Sequence, residues 1–146
     1  MRISVQEAVF DPGAELSGFG AGRSDVGGLV SFTGLVRDDT GTLEALEIEH
    51  YPGMTERAIT AMVEEAISRW ELADALVIHR YGRLAVGAPI MMVATAARHR
   101  VAAFDAAEFL MDYLKSRAPF WKKEVTRAGE SWVAAKDADE EALKRW

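Results

Sequence analysis

The chain has 146 residues, 49% of them hydrophobic, with no repeat or low-complexity tract, which predicts a single domain over residues 1–146 with a core of its own. Seventeen Lys and Arg stand against 23 Asp and Glu, a formal charge of -6, and this argues against general nucleic-acid binding, where phosphate contacts dominate affinity. Cysteine is absent, so disulfides, thiolate metal ligands and a cysteine nucleophile are excluded.

In chain order, Ile3 and Val5 alternate as in a strand, and Glu7 places an acid before any apolar run. Asp11-Pro12 offers an N-cap followed by proline at the first helical position, predicting a short helix that ends near Gly20 and Gly22. Val30, Phe32, Gly34 and Val36 share one strand face. After the turn Asp38-Asp39-Thr40-Gly41, the alternation Leu46 to His50 marks a second strand, and the two are expected to form a hairpin. Pro52-Gly53 breaks the pattern. Thr55 is the expected cap of a long helix striped by Ala58, Ile59, Met62, Val63, Ala66, Ile67 and Trp70, with Met54 and Ile59 as a hydrophobic staple.

Leu76 to Tyr81 and Ile90 to Ala97 are short apolar runs that read as strands buried on both faces, joined by a turn containing Gly and Pro. The longest apolar stretch, Ala88 to Ala97, is too short to cross a bilayer, so no membrane association and a cytoplasmic location are expected. A second long helix carries Val101, Phe104, Ala107, Leu110 or Met111, and Leu114, and it must stop before Pro119, which disfavours helical geometry at Ala118. Phe120 to Thr126 reads as a strand that turns back near Gly129. The tail Asp139 to Trp146, acids first and bases last, suits a short helix. Strands and helices are intermixed and hairpins are expected, which predicts the α+β class.

Basic residues gather at the ends of these elements: His99-Arg100 after a strand, Lys115 and Arg117 at a helix end, and Lys122-Lys123 beyond the Pro119 turn. Four segments that end close together would make an anion pocket, and the short connection from Lys115 to Lys122 is the kind that brings two side chains together. Plainer readings stand beside this one. Lys115 can pair with Asp112 one turn back, an arrangement worth about 0.2–0.5 kcal/mol. Lys122-Lys123 can guard an exposed sheet edge, His99-Arg100 can cap the next helix, and Arg37 can flank a hairpin turn. Gly18-Phe19-Gly20-Ala21-Gly22 precedes a strand instead of linking strand to helix, so it reads as a turn and not a phosphate loop. His50, His79 and His99 lack ligand spacing, and neither His-Glu-x-x-His nor Gly-x-Ser-x-Gly occurs; no metal or cofactor is expected.

Taken together, several segments resemble the catalytic (large) subunit family of molybdopterin synthase. They are Phe32-Thr33-Gly34-Leu35-Val36-Arg37, Glu49-His50-Tyr51 with Met54, His79-Arg80-Tyr81-Gly82 with Val86-Gly87, His99-Arg100, Ala103-Phe104, and the run Asp112 to Glu124. The resemblance covers roughly Gly28 to Trp132 with order preserved. It departs at Ala88, where the family often has an acid, and at Ala97, where a serine is common.

The resemblance implies an α/β-hammerhead-type domain with antiparallel hairpins and two long helices, a homodimer, and a heterotetramer with a small ubiquitin-like sulfur-carrier subunit at each end. It implies a sulfurtransferase that moves two sulfurs from the carrier's C-terminal Gly-Gly thiocarboxylate to cyclic pyranopterin monophosphate, forming the dithiolene. Family motifs place Leu35, Val36, Arg37, His99, Arg100, Lys115, Lys122, Lys123 and Glu124 around the substrate, with Lys115 and Lys122 as the catalytic pair. Arg37 and Arg100 suit the phosphate because their forked donors bind it in a way lysine cannot reproduce. Crowding by other cations and partial burial would favour a neutral amine at Lys115, poising it as base or nucleophile, whereas a charged Lys115 would act electrostatically. Lys122 fits a general acid or a phosphate contact. Two other readings remain: an inactive docking module for the same carrier, and an unrelated phosphoester hydrolase, for which no metal or nucleophile pattern is found.

Overall fold

Eight strands and four helices make two four-stranded sheets, and the computed structural model describes every residue from Met1 to Trp146. The elements are β1 (Arg2–Gln6), α1 (Pro12–Gly18), β2 (Gly28–Leu35), β3 (Leu43–His50), α2 (Met54–Trp70), β4 (Asp74–Arg80), β5 (Gly82–Ala85), β6 (Pro89–Ala97), α3 (Arg100–Ser116), β7 (Phe120–Thr126), β8 (Gly129–Trp132) and α4 (Asp137–Ala142). A 3-10 turn, Leu143–Arg145, follows. The first sheet runs β1-β4-β6-β2, with β1 and β4 parallel and the other pairs antiparallel; the second, β5-β3-β7-β8, is antiparallel throughout. The class is α+β, as expected. No helix is long and apolar enough to cross a membrane.

The alternation of β4 and β6 explains where the core sits. Val77 and Val93 face α2 and α3, packing with Ile59, Val63, Ala106, Phe109 and Leu110. Leu76, Ile78, Met92 and Ala94 face the other way, against Phe10 and Phe19 beside α1. Both strands are therefore buried on two faces, as their unbroken apolar runs predict, and each fully buried large side chain contributes about 1.5–3 kcal/mol. A third cluster, Val36, Leu46, Ile48 and Leu84, lies where the second sheet meets the first.

The structure corrects several expectations. The strands flanking Asp38 to Gly41 do not form a hairpin: β2 pairs with β6, and β3 pairs with β5 and β7. The turn itself exists, with the Gly41 N–H donating to Asp38 Oδ1 at 2.9 Å. Ahead of it the register of β2 breaks between Gly34 and Leu35, and Val36 bonds through its N–H and carbonyl to Ala88 and Gly87, which sends the chain into the other sheet. The linker between β4 and β6 holds an additional strand, β5, too short for its alternation to register in the sequence.

Helix α2 starts one residue before Thr55, with Gly53 as its N-cap. Gly53 adopts φ 83°, a conformation glycine reaches without steric cost, and its N–H donates to Glu56 Oε2 at 2.6 Å. Thr55 is wholly buried, and Met54 is half exposed. On α3 the expected stripe is out of phase at its start. Val101 and Phe104 face solvent, while Ala103, Ala106 and Phe109 join Ala107, Leu110 and Leu114 in the buried face. Finally, β7 is an interior strand between β3 and β8, so its lysines guard no edge.

Candidate functional site

Helix α3 ends where Pro119 requires it to. The N–H groups of Arg117 and Ala118 close on the Tyr113 carbonyl at 2.7 and 3.3 Å, and the Phe120 N–H closes on the Ala118 carbonyl at 2.8 Å. This tight turn feeds directly into β7, so Lys115 on the last turn of the helix and Lys122 on the strand become electrostatic neighbours. Burial, followed by the charge of Lys115, holds the Lys122 amine below the ordinary lysine range; Lys136 acts in the same direction and Asp139 against it. Lys115 itself is exposed. It does not pair with Asp112, whose Oδ2 instead accepts from Arg145 at 2.7 Å and from the Trp146 indole at 2.6 Å. The fold thus loosens the proton of Lys122, for which a general acid or a phosphate contact was expected.

Strand alternation separates the two neighbouring lysines of β7. Lys123 is bound to Glu47 at 3.2 Å and Glu130 at 3.0 Å and lies over the Trp132 ring at 5.3 Å, an ionic tie between β3, β7 and β8. These carboxylates raise its pKa, so Lys123 stays a cation beside a neighbour inclined to lose its proton. Glu124 is exposed, in register with Leu46 and Ser131.

Arg37 follows β2, three-quarters exposed, its Nε 3.0 Å from Asp39 Oδ1. Leu35 is exposed, whereas Val36 is buried with both backbone groups committed to the 87–88 turn. His99 is the exposed N-cap of α3 and Arg100 its first residue. That places them at the opposite end of the helix from Lys115, about 22 Å away at 1.5 Å per residue. One copy of the chain therefore brings Lys115 and Lys122 together but holds His99 and Arg100 apart from them.

Sequence reasoning passed over the wall beside Lys122. His79, on β4, is 5% exposed and stacks on Phe120 at 3.7 Å with the rings 15° apart. Its Nδ1 lies 2.8 Å from the Arg80 carbonyl, which only accepts, so the proton is on Nδ1. Burial lowers its pKa to about 4, so the ring is neutral. His50, in register with Phe120, packs on Tyr81 at 4.3 Å, and its buried Nδ1 has no hydrogen-bond partner. A lone histidine in a strand carries no spacing signal, so each was marked only as part of a family motif and neither as a site residue. The segment 133–146 passes the same region: the Val133 N–H donates to the Lys122 carbonyl at 2.8 Å, and Glu140 pairs with Arg117 at 2.5 Å.

A sequence model of the family described as MoaE protein matches residues 5–117. The molybdopterin synthase catalytic subunit of Cereibacter sphaeroides is 68% identical over 146 residues, covering all of both chains. Among solved structures, the molybdopterin biosynthesis MoaE protein from Burkholderia ambifaria superposes with a TM-score of 0.85 at 48% identity, covering 99% of this chain and 97% of that one. A chain from the complex of subunits 1 and 2 of the molybdopterin-converting factor of Helicobacter pylori shares the fold, with a TM-score of 0.77 at 18% identity, covering 92% of this chain and 90% of that one. With a match that runs through the Lys115 end of α3 and full-length identity well beyond the level of fold alone, the chain belongs to the MoaE family of molybdopterin synthase catalytic subunits.

Proposed function

We propose that the chain transfers sulfur as a molybdopterin synthase catalytic subunit and that Lys115 and Lys122 are the pair that act on the ligand. The observation that carries this reading is their juxtaposition across the Pro119 turn, with the Lys122 amine partly desolvated beside a second cation. An amine in that setting gives up its proton more readily than a free lysine, while its exposed neighbour supplies positive charge for an anionic carbonyl or phosphate. The substrate is cyclic pyranopterin monophosphate, and the sulfur arrives as the C-terminal thiocarboxylate of a small ubiquitin-like carrier. A chain without cysteine has no thiol of its own on which to carry sulfur, and the Helicobacter pylori fold relative is found in complex with a second subunit.

The arginines and His99 enter through a second copy of the chain. Strand β2 is an outer edge of its sheet, and Leu29, Phe32 and Leu35 on it are exposed together with Val101 and Phe104 on the adjoining start of α3. An apolar edge of this kind is a pairing surface unless something covers it. A homodimer formed there hides it and gives the His99-Arg100 end of one protomer a route to the lysine end of the other, which a single copy denies. Arg37, Arg100 and His99 then hold the phosphate, with Leu35, Val36, Lys123 and Glu124 bordering the site.

The test is dithiolene formation from a thiocarboxylated carrier and the pterin precursor. The native chain should make product. Lys115→Ala should keep its fold and carrier binding while transfer stops, and Lys122→Ala should lose roughly 10²- to 10⁴-fold in rate if proton transfer is its work. A native chain that binds the carrier yet makes no product would move the reading to a docking module.

A further inference from the structure

The connection between Lys115 and Lys122 is gripped at its middle by two side chains from distant parts of the sequence. Thr55, wholly buried in the first turn of α2, shares its hydroxyl proton between the carbonyl oxygens of Tyr51 (3.0 Å) and Pro119 (3.3 Å), and its oxygen accepts from the Tyr51 N–H at 3.0 Å. His79 lies flat against Phe120, its ring orientation fixed by the Nδ1–H bond to the Arg80 carbonyl. Residue 119 is thus held by its backbone from α2, and residue 120 by its side chain from β4.

We propose that Thr55 and His79 form a clamp on Pro119–Phe120 that sets the spacing of the Lys115 and Lys122 amines, making them positioning residues for sulfur transfer. The inference rests on the reading of those lysines as the acting pair. Two neighbouring ammonium groups repel, and a frayed helix end would let them relax apart. Something in the fold must oppose that relaxation: the exposed Arg117–Glu140 pair ties the start of the link between α3 and β7, and Thr55 and His79 are the buried side chains that hold its end, at Pro119 and Phe120.

The groups whose charge bears on Lys122 are Lys115 from α3, Asp139 from α4 and Lys136 just ahead of it; Lys122 in turn bears on His79 of β4, as does His50 of β3. Of these, Lys115 is the one whose position the clamp controls. Loosening the clamp at Thr55 therefore weakens its effect on Lys122 and leaves the rest in place, whereas His79→Leu also takes away a neighbour of Lys122.

The experiment titrates Lys122 directly in the full chain, by NMR of lysines labelled with ¹³C at Cε, with the resonance assigned from Lys122→Arg. Thr55→Val keeps the shape of the side chain and removes the hydroxyl, Thr55→Ser restores the hydroxyl, and His79→Leu removes the stack. Thr55→Val and His79→Leu, shown to be folded by circular dichroism and melting, should move the Lys122 titration upward by about half a pH unit. They should also slow single-turnover sulfur transfer by about tenfold or more, while Thr55→Ser follows the native chain in both. Lost stability alone would not move the titration of one lysine in the folded protein. An unmoved titration in either folded variant overturns the clamp, and His79→Leu carries that test if Thr55→Val does not fold. A moved titration in a chain that makes no product supports the clamp and refutes only the assignment of the reaction.

Discussion

His79 makes the stability of this protein depend on pH in a direction and by an amount that follow from its surroundings. Burial lowers its pKa from 6.5 to about 4; the Arg80 hydrogen bond opposes the shift, and the charges of Lys122 and His50 add to it. As the pH falls, the unfolded chain takes up this proton first, so protonation favours unfolding. The stability owed to a neutral His79 is complete above 6.5 and disappears as the pH falls through the folded value near 4. The whole difference corresponds to about 3 kcal/mol, and about 2 kcal/mol of it is lost between about pH 7 and about pH 5. Urea unfolding across that range, at one protein concentration, should give the native chain a steeper decline than His79→Leu. The variant starts lower, having lost the stack on Phe120, but its curve is flatter. Carboxylates titrate in both proteins and cancel in the comparison. Parallel curves would show that His79 is accessible to protons in the folded state and would remove the argument that it presents a neutral ring beside Lys122.

Other outcomes can be checked by similar means. Phe109→Ala, at a residue 2% exposed with Trp70 and Trp146 edge-on at 5.1 and 5.7 Å, should cost about 3–5 kcal/mol in urea unfolding. It should also speed amide exchange over 143–146, which loses its seat; a loss below about 1 kcal/mol would mean the cavity collapses. Gly27→Ala would place a Cβ 2.2 Å from the Arg98 carbonyl oxygen, a backbone contact that cannot yield locally. It should destabilise the chain by about 1–3 kcal/mol and weaken precursor binding measured by calorimetry; unchanged binding would detach the His99-Arg100 turn from the site. If the proposed homodimer forms at β2, Phe104→Asp should sediment as a monomer at concentrations where the native chain sediments as a dimer, and a dimer that persists in the variant would place the interface elsewhere.

Much of the secondary structure can be read from local signals. Asp11-Pro12 does cap α1, accepting from the N–H groups of Gly13 and Ala14, and Pro119 does end α3. What local signals cannot supply is the identity of a strand's partner. The Asp38 to Gly41 turn has hairpin chemistry, yet the bulge at Gly34/Leu35 delivers its two strands to different sheets. The phase of α3 misled for a related reason: Val101 and Phe104 are apolar, but their face is turned away from this chain's core. Thr55 carries the residue type of a cap and serves instead as a buried tie, because the glycine two residues earlier already starts the helix. Within the site, Lys115 and Lys122 were legible because a proline turn joins them in sequence. His79, His50 and Thr55 were not, since each reaches the turn only through tertiary packing.

The alternation along β7 has a consequence for what changes the Pro119 turn can accept. Lys122 and Lys123 are the same residue type side by side, but one is a half-buried amine beside the charge of Lys115 and the other is fixed between Glu47 and Glu130. Because strand side chains alternate, deleting a single residue between Ser116 and Phe120 would bring Lys123 to the place of Lys122 and Glu124 to the place of Lys123, provided the pairing with β3 adjusted to the new length. A lysine would still stand opposite Ile48, but Lys122 itself would move to the exposed position of Trp121, and Glu47 would face Glu124 in place of its cation. Under the role proposed for Lys122, the length of that turn is therefore part of the site, and the deletion variant should lose activity while retaining every side chain named in it.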